Sequence, residues 1–405
     1  MEEAPKHAVG IDVGTNSVRV VVMSVSGHKK PVIVGHKETE NSGMRKGMVA
    51  NLEGPAKAID VALLDAEKMS GYRVDSATVN VNGAHVLCTR TNGMIAVGAV
   101  DHEITVEDVR RIEDMATTTG EIPANREVLA LIPYGYRLDG QGGIKNPIGM
   151  NGTRLEINAG VVSGLSPICQ NVRKTAELSG VLVKKLVASP VAAANAVLTE
   201  KQMENGVAVI DFGFATTSIA IFEEGDLQWV SVVPLGSNNV TNDLAICLQT
   251  SPEIAEELKR RVSATGDGDS EEVVIGKSKT ENRFTKNDIQ DVIGARLDEI
   301  FDLVRKEFKK AGYDRRLPEG VVLVGGGAKL RDIDVYVKKK LELAVKVGMP
   351  VGLSGTLGTT AKSEFATAIG LAFEDMLTDN VAEQKNGAKS DGGLFKKIWA
   401  KITKI

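Results

Sequence analysis

The chain has 405 residues, 42% of them hydrophobic and 25% charged, with a formal net charge of -4. That length allows two or three domains with cores of their own, and the small negative charge gives no overall attraction to nucleic acid. Cys88, Cys169 and Cys247 are far apart and form no Cys-x-x-Cys pair, which excludes a cysteine-based zinc site, argues against a disulfide framework and fits reduced thiols in the cytoplasm. No apolar run approaches the roughly 20 residues of a membrane span, and an acidic start running straight into a strand is not a signal peptide.

The first element is a hairpin. Ala8–Val25 reads AVGIDVGTNSVRVVVMSV, an apolar run, a loop containing Asp12, Gly14, Thr15, Asn16 and Ser17, and a β-branched run. Val32–Lys37 is expected to add a third strand. Asn41 to Asn51 is polar, with Gly43 and Gly47 flanking Arg45 and Lys46. Leu52–Ser70 has helical spacing, with a stripe of Ile59, Leu63, Leu64 and Met69. A strand over Ser76–Val81 ends at Asn82-Gly83.

At about Ala84 the composition shifts. Val86–Thr91 and Met94–Val97 flank Asn92-Gly93, which predicts a hairpin turn. Thr105 is placed to cap a helix through Val109, Ile112 and Met115, with Asp108 three residues on. Strands are expected over Val128–Arg137 and Leu155–Val162, with glycine-rich loops such as Gly140–Gly143 between them. This segment of about 80 residues holds no catalytic cluster and reads as an inserted interaction module.

From Pro167 the earlier style returns. A helix over Ile168–Ser179, a strand over Val181–Ala188 and an alanine-rich helix from Ser189-Pro190 to Leu198 precede a second hairpin, Val207–Phe222, VAVIDFGFATTSIAIF. Its tip holds Asp211, Gly213, Thr216 and Thr217. Backbone N–H groups, hydroxyls and one carboxylate in a tight loop suit phosphate and its magnesium. Two such loops about 200 residues apart point to similar halves facing one ligand. Val230–Leu235 is expected as a strand entering Gly236, with a helix from Thr241 or Asn242 to Leu248. Ser251-Pro252 starts a further helix on which Glu256 and Lys259 share a face, and Glu271–Ile275 suits a strand. Thr285 precedes a long helix over Lys286–Ala311 with Ile289, Ile293, Leu297, Ile300, Phe301, Val304 and Phe308 as its apolar set.

Gly320–Gly327, GVVLVGGG, is a strand running into a loop that lets a base or sugar approach the backbone. Ile333–Leu343 is expected as helix, Val351–Leu353 as a strand fragment and Glu364–Met376 as a core helix. Residues 378–392 read as a flexible linker, followed by GLFKKIWAKITKI at 393–405. Leu394, Phe395, Ile398, Trp399, Ile402 and Ile405 share one helical face, and Lys396, Lys397, Lys401 and Lys404 the other. That pattern fits an interfacial helix lying on an anionic membrane.

Together these segments resemble the actin-like ATPase superfamily and, within it, the FtsA family of bacterial cell-division proteins, over Val9 to Met376. The carriers are GMRKGMVANLEGPAKAI (43–59), SPVAAANAVLT (189–199), PLGSNNVTNDLA (234–245), AEELK (255–259) and VVLVGGGAKL (321–330). The resemblance implies an α/β, actin-like (ribonuclease H-like) two-lobed ATPase fold with an inserted small α/β subdomain. Subdomain 1A would be 1–83 completed by about 355–377, 1C the insert 84–163, 2A 164–235 completed by about 319–354, and 2B 236–318. Asp12 and Asp211 would hold magnesium, mostly through water. Gly14, Thr15, Asn16, Gly213, Thr216 and Thr217 would hold the phosphates of ATP, with Gly236 beside them. Glu256 and Lys259 would reach ribose and base, and Gly325, Gly326 and Gly327 would lie against the nucleoside. Implied partners are the C-terminal peptide of the tubulin-like protein FtsZ, with Arg296 on the long helix as an anionic-peptide contact, further copies in a filament, and later division proteins through the insert. The implied location is the cytoplasmic face of the inner membrane at the division site, with no nucleic acid involved. Phe214 and Ala215 stand where the family has glycines and Ser218 where it has Asp, and 236–239 reads Gly-Ser-Asn-Asn in place of Gly-Gly-Asn-His. ATP binding with at most weak hydrolysis is therefore expected, and no general base is identified. An actin-like scaffold of a pilus-assembly machine and a small-molecule kinase remain as alternatives.

Overall fold

Two five-stranded sheets of the same design organise the chain in the computed structural model, which describes residues 5–26, 30–98, 101–118, 122–266, 271–275, 282–354 and 362–385. The first lobe begins with β1 (Lys6–Val13), β2 (Ser17–Val25) and β3 (Val32–Glu40), a meander in which β1 and β2 bury Val9, Ile11, Val13, Val18 and Val20–Val22 while β3 at the edge is largely half-exposed, followed by the short pair β4 (Met44–Arg45) and β5 (Met48–Val49). Helix α1 (Glu53–Ser70) leads to β6 (Ser76–Val81), which lies parallel to β1. The helix buries Ala58, Ile59, Ala62, Leu63 and Ala66, whereas Leu64 and Met69 of the expected stripe are 48% and 56% exposed. Three alanines allow the helix to approach the sheet closely, so the buried face centres on them instead.

The insert comprises β7 (Leu87–Ala96), α2 (Val106–Thr118), β8 (Arg126–Leu138), β9 (Gln141–Ile144) and β10 (Arg154–Leu165), in sheet order β7-β10-β8-β9. Its own core includes Ile95, Ile112, Leu155 and Ile157. Asn92-Gly93 is not a turn. Strand β7 runs straight through it, with Asn92 opposite Asn158 and Gly93 opposite Ile157, because a ten-residue ladder to β10 outweighs the local turn preference. Gly140–Gly143 likewise is only partly loop, since Gln141 onward pairs as β9. Thr105 and Asp108 cap α2 reciprocally: each backbone N–H donates to the other's side chain, at 3.0 and 3.2 Å.

Helix α3 (Ser166–Leu178) and β11 (Leu182–Ala188) return to the first sheet, giving β11-β6-β1-β2-β3. Then α4 (Ser189–Val197) and α5 (Glu200–Asn205) lead into the second lobe, where β12 (Val207–Phe212), β13 (Thr217–Glu223) and β14 (Asp226–Val233) form another meander. Helix α6 (Ser237–Cys247) begins at Ser237, four residues before the earliest expected start, because Gly236 at its N-cap packs against the loop before β13. Next come α7 (Pro252–Arg261), β15 (Glu272–Ile275), β16 (Asn282–Thr285) and α8 (Lys286–Ala311), which buries all seven expected apolar residues. Each contributes about 2 kcal/mol by leaving water. Strand β17 (Val321–Val324), a 3-10 turn over Gly326–Lys329, α9 (Ile333–Leu341) and β18 (Val345–Val347) complete the sheet β14-β13-β12-β17-β18. Helix α9 stops at Leu341, where Glu342 turns left-handed with φ +57°, and Val351–Leu353 is not a strand.

The final helix, α10 (Ala366–Lys385), continues through the first part of the expected linker, whose remainder lies outside the described residues together with the amphipathic segment 393–405. It wedges between lobes. A Cβ on Gly370 would lie 1.7 Å from the Ala192 carbonyl of α4, and one on Gly10 2.2 Å from the Ala368 carbonyl. Among the described residues no helix is long and apolar enough to cross a membrane.

Candidate nucleotide site between the lobes

The two hairpin loops meet across the cleft. In the first, Gly14 N–H donates to the Ser17 carbonyl at 3.0 Å, and a Cβ on Gly14 would lie 2.8 Å from that oxygen. Asn41 fastens the loop by donating its Nδ2 to the Gly14 carbonyl at 2.7 Å and its backbone N–H to Asn16 at 2.9 Å. The Thr15 hydroxyl accepts from Gly47 N–H at 3.1 Å, so the glycine-rich basic stretch lies beside the loop; Asn16 is exposed. In the second loop Gly213 N–H donates to the Thr216 carbonyl at 2.9 Å. The Thr217 hydroxyl donates to the Leu235 carbonyl at 2.8 Å, so its proton is committed within the protein and Thr216 supplies the loop's other hydroxyl.

Asp12 and Asp211 are the penultimate residues of β1 and β12, near enough for the charge of Asp211 to act on Asp12. Asp12 is buried, accepts from Asn80 Nδ2 at 2.8 Å and lies 3.6 Å from the Arg19 guanidinium, which also holds Glu38 at 2.6 Å. Burial pushes its carboxyl up to about 7, against the pull of Arg19 and with a further push from the charge of Asp211. Asp211 is raised as well, by burial, although Thr367 donates to it at 3.2 Å. Two desolvated carboxylates with one shared guanidinium are short of positive charge. A magnesium ion suits that deficit, since it binds through one or two carboxylates, water and phosphate oxygens. Among the described residues no group of three or more His, Cys, Asp or Glu offers a richer metal cage.

The third glycine loop lies against Asp211. Gly325 has φ +88°, and a Cβ there would come 2.3 Å from Asp211 Oδ1; one on Gly327 would strike the Phe212 ring at 2.5 Å. Gly326 faces open space within 4 Å, so its backbone is accessible. Gly236 serves differently from a ligand-facing glycine. Its Cβ would meet the backbone of Phe214 and Ala215 at 2.6–2.7 Å, while Ser237 and Asn238 N–H donate to the Gly213 and Phe214 carbonyls at 2.9 and 2.8 Å. The loop is thereby built onto the start of α6 despite its missing glycines. Beneath that start Lys259 Nζ, mostly buried, donates to Thr241 at 2.8 Å, to the Ser237 carbonyl at 3.3 Å and to Glu256 at 2.5 Å. Burial lowers the lysine, while Glu256 is held below its ordinary range because the bonds from Lys259 and Thr241 outweigh its own burial.

Arg296 lies elsewhere, on α8 facing α6. Its guanidinium grips Asp243 at 2.5 and 2.9 Å and also contacts Glu299, so it already has two carboxylate partners. Residues the sequence reading passed over are Arg19, Asn80, Asn82 and Thr367. One signal could have found two of them: Thr78, Asn80 and Asn82 repeat every second residue in an otherwise apolar stretch, which puts three polar side chains on one face of a buried strand and its end. They reach Asp375, Asp12 and Thr216 respectively.

Residues 208–370 match the family model described as Cell division protein FtsA, and residues 83–163 the model of an SHS2 domain inserted in FTSA. Over 374 residues the chain is 32% identical to the cell division protein FtsA of Pseudomonas aeruginosa, covering 91% of this chain and 89% of that one. It is 32% identical to that of Neisseria meningitidis over 98% of both chains, and 33% identical to that of Bacillus subtilis over 84% and 78%. Among solved structures, the PilM-PilN type IV pilus biogenesis complex aligns with a TM-score of 0.65 at 17% identity, covering 91% of this chain and 98% of that one. MreB5 of Spiroplasma citri bound to ADP aligns at 0.55 and 14%, covering 93% and 98%.

Proposed function

The chain belongs to the FtsA family of actin-like cell-division proteins, and from that membership we propose that it binds ATP with magnesium between its lobes, assembles with further copies on the cytoplasmic face of the inner membrane, and tethers FtsZ filaments there. The observation that carries the nucleotide part is the convergence of Asp12 and Asp211, with their loops, across the cleft. The donor set suits a polyphosphate: loop N–H groups, the Thr15 and Thr216 hydroxyls and two carboxylates for the metal. An ADP-bound actin-like relative of the same fold supports the reading. Glu256, Lys259 and the Gly325–Gly327 turn would border the nucleoside.

In this reading 1–83 with about 355–377 form the nucleotide-holding subdomain 1A, to which α3 and β11 also belong because β11 completes the first sheet. Subdomain 2A, expected over 164–235, therefore starts later, its strands running from Val207 to Val233 and completed by about 319–354. The insert 84–163 meets neighbouring subunits and later division proteins, and 236–318 takes the FtsZ peptide. The amphipathic residues 393–405 bind anionic lipid, each helix weakly, and a filament sums many such contacts. A pilus-type scaffold shares the fold, but the relatives at about a third identity are cell-division proteins.

Titration of a fluorescent ATP analogue tests the nucleotide site. Magnesium-dependent binding should weaken at least ~10-fold in Asp12→Asn and in Asp211→Asn, on the scale of about 1.4 kcal/mol per tenfold. Equal binding by wild type and both variants would put the nucleotide elsewhere.

A further inference from the structure

Between the second phosphate loop and the insert runs a chain of hydrogen bonds that passes through one side chain, Asn82, just after β6. Its Nδ2 donates to Thr216 Oγ1 at 3.2 Å, and its Oδ1 accepts from the Ser218 hydroxyl at 3.1 Å and from Gly83 N–H at 2.8 Å. Because a backbone N–H can only donate, the Gly83 contact fixes which end of the amide is oxygen. The other end is then a donor, and Thr216 Oγ1 must accept from it. Asn82 is thus a first-lobe residue binding two hydroxyls of the second lobe, both of them buried.

The consequence is directional. A hydroxyl has one proton and two lone pairs. With a lone pair of Thr216 taken by the Asn82 amide, its proton is left to donate to an anion. Ser218, standing where the family has Asp, donates to the same amide and holds its oxygen end in place.

On the other side Asn82 is fastened to the root of the insert. His85 Nδ1 accepts from Leu165 N–H at 3.1 Å, so its proton is on Nε2, which donates to the Asn82 carbonyl at 3.0 Å. Arg126 of β8 holds the His85 carbonyl and bonds Ser163 of β10 at 2.9 Å. The four residues from Asn82 to His85 therefore tie Thr216 to strands β8 and β10 of the insert.

We infer that Asn82 is a positioning residue of the nucleotide site, which orients the Thr216 hydroxyl to donate to a phosphate and, through His85, couples that contact to the base of the inserted subdomain. This rests on the nucleotide reading of the same cleft. It differs from the roles of the loop residues themselves, since Asn82 touches the loop and not the phosphate.

Two readouts on the full chain test it. Asn82→Asp replaces the donor with an acceptor, so Thr216 must turn its proton inward. Affinity for a fluorescent ATP analogue with magnesium should fall at least ~10-fold, and Asn82→Ala, which removes the amide without adding charge, should lie about 3-fold below wild type. Hydrogen exchange at the Leu165 amide should slow when the analogue binds, and lose that response in both variants. His85→Leu should lose it too, and His85→Gln, which keeps a donor for the Asn82 carbonyl, should restore part of it. If wild type binds and both Asn82 variants bind equally well, the positioning role is wrong and the nucleotide reading stands. If affinity falls but exchange at Leu165 never responds to nucleotide, the coupling to the insert is wrong. If wild type itself does not bind the analogue, both readings fall together. Should Asn82→Asp not fold, Asn82→Ala and the two His85 variants decide the matter.

Discussion

The protonation of Asp12 shows how a single side chain ties stability to ligand. Its folded-state carboxyl lies near 7 against an ordinary 3.8, chiefly through burial. Between those values the folded chain keeps a proton that the unfolded chain releases, so this group makes stability fall as pH rises from about 4 to about 7. The full cost at pH 8 is about 4 kcal/mol. Asp12→Asn, which keeps an oxygen for Asn80, should therefore melt higher than wild type at pH 8 and close to it at pH 4. Magnesium should raise the wild-type melting temperature more at pH 8 than at pH 5, with little effect on the variant; parallel pH profiles would contradict this. Gly325 sets a second constraint. Its φ is +88° and an added Cβ would lie 2.3 Å from Asp211 Oδ1, so Gly325→Ala should cost about 2 kcal/mol or more through strain and displacement, measured by denaturant unfolding. Both Asp-x-Gly loops were legible in the sequence as hairpin tips with nearby hydroxyls. Asn80, Asn82 and Arg19 were not, because their roles depend on which strands become neighbours, and only the polar alternation along β6 hinted at it.

At the scale of elements, the long helix α8 was legible in full because its apolar period is regular over 26 residues. The Asn92-Gly93 strand was misread, since a turn dipeptide speaks only for its own neighbours while β10 pairs along both sides of it. Helix α10 is a different case. Its described first turns are buried almost all round, so no stripe betrays what it packs against, and its contact with α4 is visible only in three dimensions. Gly370→Leu should break that crossing and lower the melting temperature by several degrees, whereas an exposed change such as Lys68→Ala on α1 should leave it unmoved. The α6–α8 pair makes a separate prediction. Asp243 occupies the Arg296 guanidinium, so Asp243→Asn should loosen that hold and strengthen binding of an FtsZ C-terminal peptide several-fold by fluorescence anisotropy. Unchanged affinity would place the peptide away from Arg296.

Across the whole molecule, the repeated sheet order explains why one chain can close around one ligand. Each lobe presents the same hairpin loop at the same sheet position, and α4 and α10 cross between them as the packed connection. The two-lobed plan was readable from the repeated hairpin. The insert's sheet order was not, because β10, the last strand in sequence, inserts between β7 and β8, and nothing local in the sequence marks that pairing. Joining nucleotide, membrane and FtsZ filament in one body is the central claim, and co-sedimentation with anionic liposomes tests it most directly. With ATP and magnesium, the full chain should pellet with the liposomes and bring FtsZ with it, and a chain ending before Gly393 should leave both in solution. If the shortened chain pellets equally, or if the full chain binds lipid while FtsZ stays in the supernatant, the tethering account is contradicted.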